Sequence, residues 1–362
     1  MFFQYPVNDV HIHAFSLETA DATLAMVEEL GYEKFNMLSG ASYLPRWMAN
    51  NLLCAYIKAK ARGKGYAFAA VHYPETGIPS AADMLEQVKL YRSLGFDGIK
   101  MMDGKPTMRR RIGVPLDHPD YDPMFSYLEE TGFPVLYHVN DPWEFWYWDK
   151  MPQWAKAQGK LLCYGAEGYG GYPTFEEIET EAINILKKHP RLKIIFAHFF
   201  FTSTDLEKTR HYFDTYPNMS YDITPGWEMF ESFAQRYDDW RQFFANYSHR
   251  ILFGTDTYSG HWRETVGCLR RVMETDEKFV AFEERCKGLD LDAKTLQNIY
   301  HHNFYRYLPQ EPAPLDIPGL LAYGETLYSR IDALKNEDRE VLRQEVQAVS
   351  QALSEAGEKI GL

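Results

Sequence analysis

The stretch Val7-Asn8-Asp9-Val10-His11-Ile12-His13 ends a short apolar run in two histidines one residue apart. Residues i and i+2 of a β-strand point to the same face, so His11 and His13 leave the strand end together, spaced for two imidazoles to share one cation. A lone His-x-His arises by chance too readily to decide anything. Its weight depends on where other chemically able side chains fall. Lys100 stands in the run Asp97–Met102, His138 closes Val135-Leu136-Tyr137, His198 closes Ile194-Ile195-Phe196-Ala197, and Asp256 follows Ile251-Leu252-Phe253-Gly254-Thr255. Any one of these histidines, read alone, is a hydrogen-bonded core or loop residue. Imidazoles with a carboxylate, and no thiolate, all at the ends of apolar runs, suit zinc or a similar divalent ion. His72 also ends such a run and is read only as a pocket residue, while the remaining histidines follow no pattern.

The elements that must position these groups alternate regularly. Strands are predicted to end at His13 and to span Lys34–Leu38, Tyr66–His72, Asp97–Met102, Pro134–Val139, Lys193–His198, Asn218–Ile223 and Arg250–Asp256. Helical periodicity lies between them, at Thr19–Leu30, Tyr43–Arg62, Ala81–Leu94, Pro123–Thr131, Thr174–His189, Leu206–Tyr216 and Trp227–Tyr247, and follows the last strand at Arg263–Thr275 and Thr295–Tyr307. Such alternation predicts a parallel sheet, and eight units favour a closed (β/α)8 TIM barrel over an open sheet. A doubly wound sheet would want a glycine-rich phosphate turn after its first strand, where this chain has His11-Ile12-His13. In a parallel barrel the carboxyl ends of all strands face one site, so the residues named above converge. The proline-rich Pro309–Pro318 breaks the pattern, and Leu320–Leu334 and Glu337–Ala356 read as two further amphipathic helices. The expected organisation is a barrel over residues 1–308 and a C-terminal helical appendage over 309–362, packed on the barrel or at a subunit contact.

Of 362 residues, 45% are hydrophobic and 25% charged, as in a soluble globular protein. A formal net charge of −13 argues against nucleic acid and against an anionic membrane surface as partners. No apolar run is long enough to span a bilayer, and the start lacks the pattern of a signal peptide, so a cytoplasmic location is expected. Cys54, Cys163, Cys268 and Cys286 form no Cys-x-x-Cys and read as reduced, buried thiols. The segment 140–172 is crowded with rings and follows His138 at once. Trp143 and Trp146 are therefore expected to wall a pocket over the site, against the alternative of a surface loop packing its own rings. Arg46 and Arg109–Arg111 are candidates for a substrate carboxylate, since guanidinium pairs with it in bidentate fashion.

Taken together, Asp9-x-His11-x-His13, the histidines ending the fifth and sixth strands, and the aspartate of Gly254-Thr255-Asp256 resemble the amidohydrolase superfamily. The nearest branch is the amidohydrolase-related group that includes aminocarboxymuconate-semialdehyde decarboxylase and several lactone hydrolases. Lys188-His189-Pro190-Arg191-Leu192-Lys193 and Asn298-Ile299-Tyr300-His301-His302-Asn303-Phe304-Tyr305-Arg306 are similar to further motifs of that branch, although the alanine of its closing Asn-Ala-x-Arg helix is replaced. The likeness covers residues 5–308. It implies one divalent metal, zinc with manganese as the alternative, held by His11, His13, His138 and Asp256. His198 and Asp256 would be the catalytic groups, and Lys100 would face an anionic substrate. In binuclear relatives a lysine at this strand is carbamylated, and here the unmodified form is favoured. The implied activity is a metal-dependent hydrolase acting through an activated water on a small ester, lactone or amide, the substrate being anionic or aromatic. Two alternatives stand beside it: a decarboxylase of an unsaturated or aromatic acid using the same ligands, and a catalytically idle metal-binding barrel. A homodimer is expected by analogy with the branch.

Overall fold

The computed structural model describes residues 5–42, 45–168, 170–226, 228–260, 262–335 and 338–360. Eight strands, β1 (Asn8–Ile12), β2 (Lys34–Leu38), β3 (Gly65–Ala69), β4 (Gly98–Gly104), β5 (Val135–Val139), β6 (Ile194–Phe196), β7 (Met219–Asp222) and β8 (Ile251–Leu252), lie side by side in sequence order. All neighbours run parallel. The last edge meets the first through backbone bonds: Val10 N–H to Phe253 O at 3.0 Å, Asp256 N–H to His11 O at 2.8 Å and His13 N–H to Thr257 O at 3.0 Å. The sheet therefore closes on itself as the TIM barrel expected from the alternation.

Strands of such a barrel are buried on both faces, which is why they read as continuous apolar runs. Inward-pointing Val10, Leu38, Tyr66, Phe68, Leu136, Ile195 and Leu252 fill the barrel interior, and Phe304 and Leu308 join that cluster. A second, larger core lies between the strands and the surrounding helices. Local signals hold where they were strongest. Thr174 and Glu177 form a reciprocal capping box at the start of helix Phe175–Lys188.

The differences from the sequence expectation are local. The eighth strand is regular for only two residues, because the chain from Phe253 onward pairs with β1 through the isolated bonds given above. The expected helix Thr295–Tyr307 is interrupted by a π turn at Asn298–His302. The starts expected at Tyr43, Trp227 and Glu337 fall outside the described residues, and the helices there run Asn50–Lys60, Met229–Gln235 with Tyr237–Tyr247, and Arg339–Ile360. An unforeseen hairpin joins β9 (Lys278–Ala281) to β10 (Glu284–Lys287). Its two turn residues, Phe282 and Glu283, have φ of 53° and 66°. Tight hairpins with positive φ at both central positions favour Asn-Gly, so Phe-Glu gives no turn signal.

Helices Ile317–Asp332 and Arg339–Ile360 pack on each other, and the latter packs on Asn50–Lys60. Polar contacts pin this C-terminal region to the barrel. The Tyr323 hydroxyl accepts from Asn51 Nδ2 at 2.9 Å and stands 2.6 Å from His72 Nε2. Buried Asp97 accepts Lys58 Nζ at 2.5 Å, Ala67 N–H at 2.9 Å and Ala313 N–H at 2.8 Å. No helix among the described residues is long and apolar enough to cross a membrane.

Two outcomes follow from these buried groups. Lys58→Met strips the cation from a buried carboxylate and should cost about 3–5 kcal/mol, read as a lower urea midpoint. Burial pushes His72 down to about 3, far below its ordinary 6.5. Between those values the unfolded chain binds a proton that the folded chain refuses. Stability is thus undiminished above pH 6.5 and falls on acidification towards pH 3, by up to about 1.4 kcal/mol per pH unit from this residue. Urea titrations across that range should show a shallower acid limb in His72→Gln than in the parent.

Candidate metal centre

The site is assembled at the carboxyl ends of the strands. Asp9, one turn of the pleat below His11, accepts the His11 N–H at 2.9 Å and the Thr255 hydroxyl at 2.7 Å, and so fastens the end of β1 to the segment after β8. His13 Nδ1 lies 2.8 Å from the carbonyl oxygen of Leu38. A carbonyl only accepts, so His13 carries its proton on Nδ1 and leaves Nε2 bare. His11 Nδ1 lies 2.8 Å from Asp222 Oδ2 at the end of β7. Asp222 also accepts the N–H groups of His198 (2.8 Å) and Thr224 (3.1 Å). Burial would raise its carboxyl, but His11 beside it and His198 hold it below the ordinary value. An ionised Asp222 fixes the His11 proton on Nδ1 as well.

Two Nε2 lone pairs then face each other at 3.3 Å. Asp256 Oδ1 stands 3.4 Å from the first and 3.1 Å from the second. The three atoms lie within 4.8 Å of one another, and no other His, Cys, Asp or Glu group among the described residues does so in threes. Three acceptors this close favour positive charge, and the Lys100 ammonium 3.5 Å from His11 Nε2 supplies it only at the edge of the group. A proton is one candidate: burial and Lys100 lower the basicity of His11, yet Asp256 and Asp222 raise it overall. A divalent cation is the other, and two imidazole nitrogens with one carboxylate oxygen are a donor set that fits zinc. Burial would raise Asp256, but His11 and His13 hold it well below the usual carboxylate range. Its side chain stays 39% exposed, open to the cavity.

Three more predicted residues surround this triad. Lys100 Nζ is 3.5 Å from His11 Nε2, and burial lowers its pKa to about 8. His198 Nδ1 is 3.3 Å from the Pro225 carbonyl, which leaves Nε2 3.9 Å from Asp256 Oδ2. His138 lies 4.7 Å from His198, centroid to centroid, but directs Nε2 to Asp141 Oδ1 at 3.3 Å. Asp141 is itself held by Lys105 Nζ and the Tyr164 hydroxyl, each at 2.6 Å. Burial drives His138 down to about 4 and His198 to about 3, so both rings are neutral near pH 7.

His198 sits where it does because the chain takes a left-handed turn. His198, Phe199, Phe200 and Phe201 have φ of 56°, 53°, 55° and 51°. Each L-residue in that region costs about 1–2 kcal/mol. Phe199, Phe200 and Phe201 are all buried, and burying a phenylalanine side chain returns about 1.5–3 kcal/mol, enough to hold the turn.

The triad opens into a cavity of about 780 Å³, also lined by Lys100, Lys105, His138, His198 and Asp141. Its walls are aromatic: Phe15 and Trp47 on one side, Phe145 and Trp154 from the insert, and Phe201, Phe230 and Phe282. Arg46, Trp143 and Trp146 are not part of this lining. Arg46 is exposed and stacks on Trp47, 5.2 Å from its ring. Trp143 is half-buried against Tyr147 and Lys150, and Trp146 donates to the Pro173 carbonyl. Arg109 binds Glu181 through two nitrogens, Arg110 stacks on Tyr172, and Arg111 donates to the Ser42 carbonyl. Asp222, Asp141, Lys105 and Tyr164 escaped the sequence reading. Asp222 alone carried a signal, as an aspartate one residue before the end of a predicted strand.

Asp222→Asn should loosen any ion held by the triad, because an amide no longer enforces the His11 tautomer. Loss of such an orienting carboxylate typically weakens metal binding about 10–100-fold, measurable by elemental analysis after dialysis against graded chelator.

Solved structures of similar fold include an uncharacterized TIM-barrel protein from Bordetella bronchiseptica, with a TM-score of 0.54 and 14% identity, covering 84% of this chain and 99% of that one. The 4-oxalomesaconate hydratase of Rhodopseudomonas palustris aligns with a TM-score of 0.53 and 12% identity over 90% of this chain and 99% of its own. A 2,6-dihydroxybenzoate decarboxylase, solved with 2,6-dihydroxybenzoate, gives 0.50 and 15% over 84% and 99%. At these identities the likeness is one of fold. No match is found among curated proteins. The family description "Amidohydrolase" matches residues 18–326. That match spans most of the chain, from the first barrel helix to the first C-terminal helix, and the protein belongs to the amidohydrolase family.

Proposed function

We propose that this protein is a metal-dependent hydrolase that opens a small ester, lactone or amide with an aromatic or anionic body. The observation that carries the reading is the convergence of His11 Nε2, His13 Nε2 and Asp256 Oδ1 at the floor of an aromatic cavity. Membership of the amidohydrolase family supports it. His11, His13 and Asp256 would hold the ion. His138, the fourth ligand the resemblance implies, lies outside this three-atom group and has its Nε2 engaged by Asp141, so it would join only on turning towards the ion. A divalent ion held there, zinc or manganese, polarises a carbonyl oxygen and makes water acidic near neutral pH.

The chain's own groups supply the remaining steps. Asp256, partly open to the cavity, accepts the proton of the attacking water and returns it to the leaving group. His198 is neutral, with Nδ1 turned to Pro225, and offers Nε2 as the acceptor that aligns the water. Lys100 presents its ammonium to an oxygen that gains negative charge. The rings of Phe145, Trp154 and Phe201 take the apolar body of the substrate and exclude bulk water.

One observation favours a second reading, decarboxylation of an aromatic or unsaturated acid. Lys100 and Lys105 are the cations lining the cavity, and Lys100 is next to the triad, where a substrate carboxylate could pair with it. The structures of similar fold include a decarboxylase and a hydratase of carboxylic acids. Hydrolysis is preferred because the arginines that could clamp a carboxylate are engaged elsewhere.

Elemental analysis of the purified protein, with a panel of lactones, esters, amides and aromatic acids, tests the reading. About one zinc or manganese per chain is expected, lost in His11→Ala and in Asp256→Ala. Turnover should fall with it by at least ~10³-fold, the scale of several kcal/mol of charge stabilisation. Release of carbon dioxide from an acid, without hydrolysis of any ester or lactone, would replace the first reading by the second. A protein that neither holds nor takes up a divalent ion sinks both.

A further inference from the structure

A second space of about 210 Å³ lies behind the catalytic cavity, lined by Glu144, Glu228, Glu231 and Glu284 together with Ser203 and Trp240. Glu228 and Glu284 are only 4% and 5% exposed. Each has one carboxylate oxygen, Oε2, buried without a hydrogen-bond partner, and so does Glu144. The other oxygen of Glu228 accepts the Ser203 hydroxyl at 2.9 Å. Glu231 adds to the burial that raises Glu284, and two ionised carboxylates have no donor to share. Arg236, at the rim, is committed to Asp239 and Glu207. Buried carboxylates without a counter-charge are strongly disfavoured, so a positive species belongs in this space.

We infer that this space binds one hydrated divalent cation of the calcium or magnesium kind, bridged by Glu228 and Glu284 with Glu144 and Glu231 around it. Oxygen-only ligands select such hard ions over zinc. The four glutamates bring no three ligand atoms within 4.8 Å of one another. The ion is therefore held partly across its own water shell, as magnesium is when one or two carboxylates bind it. Burial raises Glu228 and Glu284 to about 8, with Glu144 and Glu231 adding to it.

The placement gives the ion a consequence. Glu144 adjoins Phe145 of the aromatic insert. The Glu228 carboxylate folds against Gly226, where a Cβ would come within 2.8 Å of its Oε2. Glu284 follows the hairpin turn Phe282–Glu283. Phe145, Gly226, Phe282 and Glu283 all line the catalytic cavity. One ion thus ties together three separate wall segments: the insert, the loop after β7 and the β9–β10 hairpin. The site is independent of the hydrolase reading.

The test uses the full chain freed of loose ions, run with and without added zinc. Calcium and magnesium are titrated by calorimetry at neutral pH, and terbium is titrated by luminescence excited through Trp240. Binding of one calcium or magnesium per chain, with a rise in Tm, is expected. Glu228→Gln and Glu284→Gln should each weaken it at least ~10-fold, since ligand charge sets affinity at such sites. His11→Ala, which removes the first site, should leave it intact, and Trp240→Phe should lose the luminescence but keep the calorimetric binding. Binding unaffected by both glutamine variants would mark an adventitious surface ion and overturn the proposal. So would a wild-type protein that binds neither ion and gives no sensitised luminescence, in which case a shared proton occupies the space.

Discussion

Three acceptor atoms forced together at the mouth of a closed barrel set the terms for everything around them. His11 and His13 could each have turned a protonated nitrogen into the site. They do not, because Leu38 O and Asp222 take the Nδ1 protons. Both partners belong to other strands of the barrel, β2 and β7. The tautomers are thus a property of barrel closure, and the Nε2 pair at 3.3 Å is its outcome. Asp9 serves the same end from below by binding the His11 backbone and Thr255 together. A site built this way is preorganised for positive charge before any ion or substrate arrives.

Positioning His198 requires a different kind of support. Four consecutive non-glycine residues in the left-handed region would unfold an isolated turn. Here Phe199 packs edge-on against Tyr221, Phe233, Trp240 and Phe243, while Phe200 stacks on Phe196. Asp222 then accepts the His198 N–H and couples the turn to His11. The high aromatic content of the chain therefore has two uses. Part of it walls the cavity, and part holds the strained backbone that carries His198.

These cases explain what the sequence could and could not reveal. Barrel strands are buried on both faces, so their apolar runs stood out, and their ends located His11, His13, Lys100, His138, His198 and Asp256 together. Asp222 was written into the seventh strand, but as a hydrogen-bond partner of a distant ring it has no spacing to betray it. Asp141 and Tyr164 act 23 residues apart through a fold of the insert that no periodicity encodes. The same insert shows why Phe145, and not Trp143 or Trp146, reaches the cavity. Residues 143–146 form a 3₁₀ turn, in which positions i and i+3 eclipse, so the two tryptophans share a side that differs from that of Phe145. The hairpin went unseen because Phe282 and Glu283 adopt positive φ without the residues that usually announce it.

The insert also illustrates how the cavity walls are anchored separately from the triad at its floor. Asp141 presents Oδ1 to His138 and Lys105 and Oδ2 to Tyr164. One carboxylate thus joins a barrel-end histidine to the segment that supplies Phe145 and Trp154. The remaining wall, from Phe15 and Trp47 to the hairpin turn, comes from loops after other strands. Rings on such loops can change the cavity's shape while β1, β2 and β7 keep the triad fixed, as long as the Asp141 contact survives. In this arrangement the floor of the site follows from barrel geometry, and the shape of the cavity follows from how the loops are anchored to it.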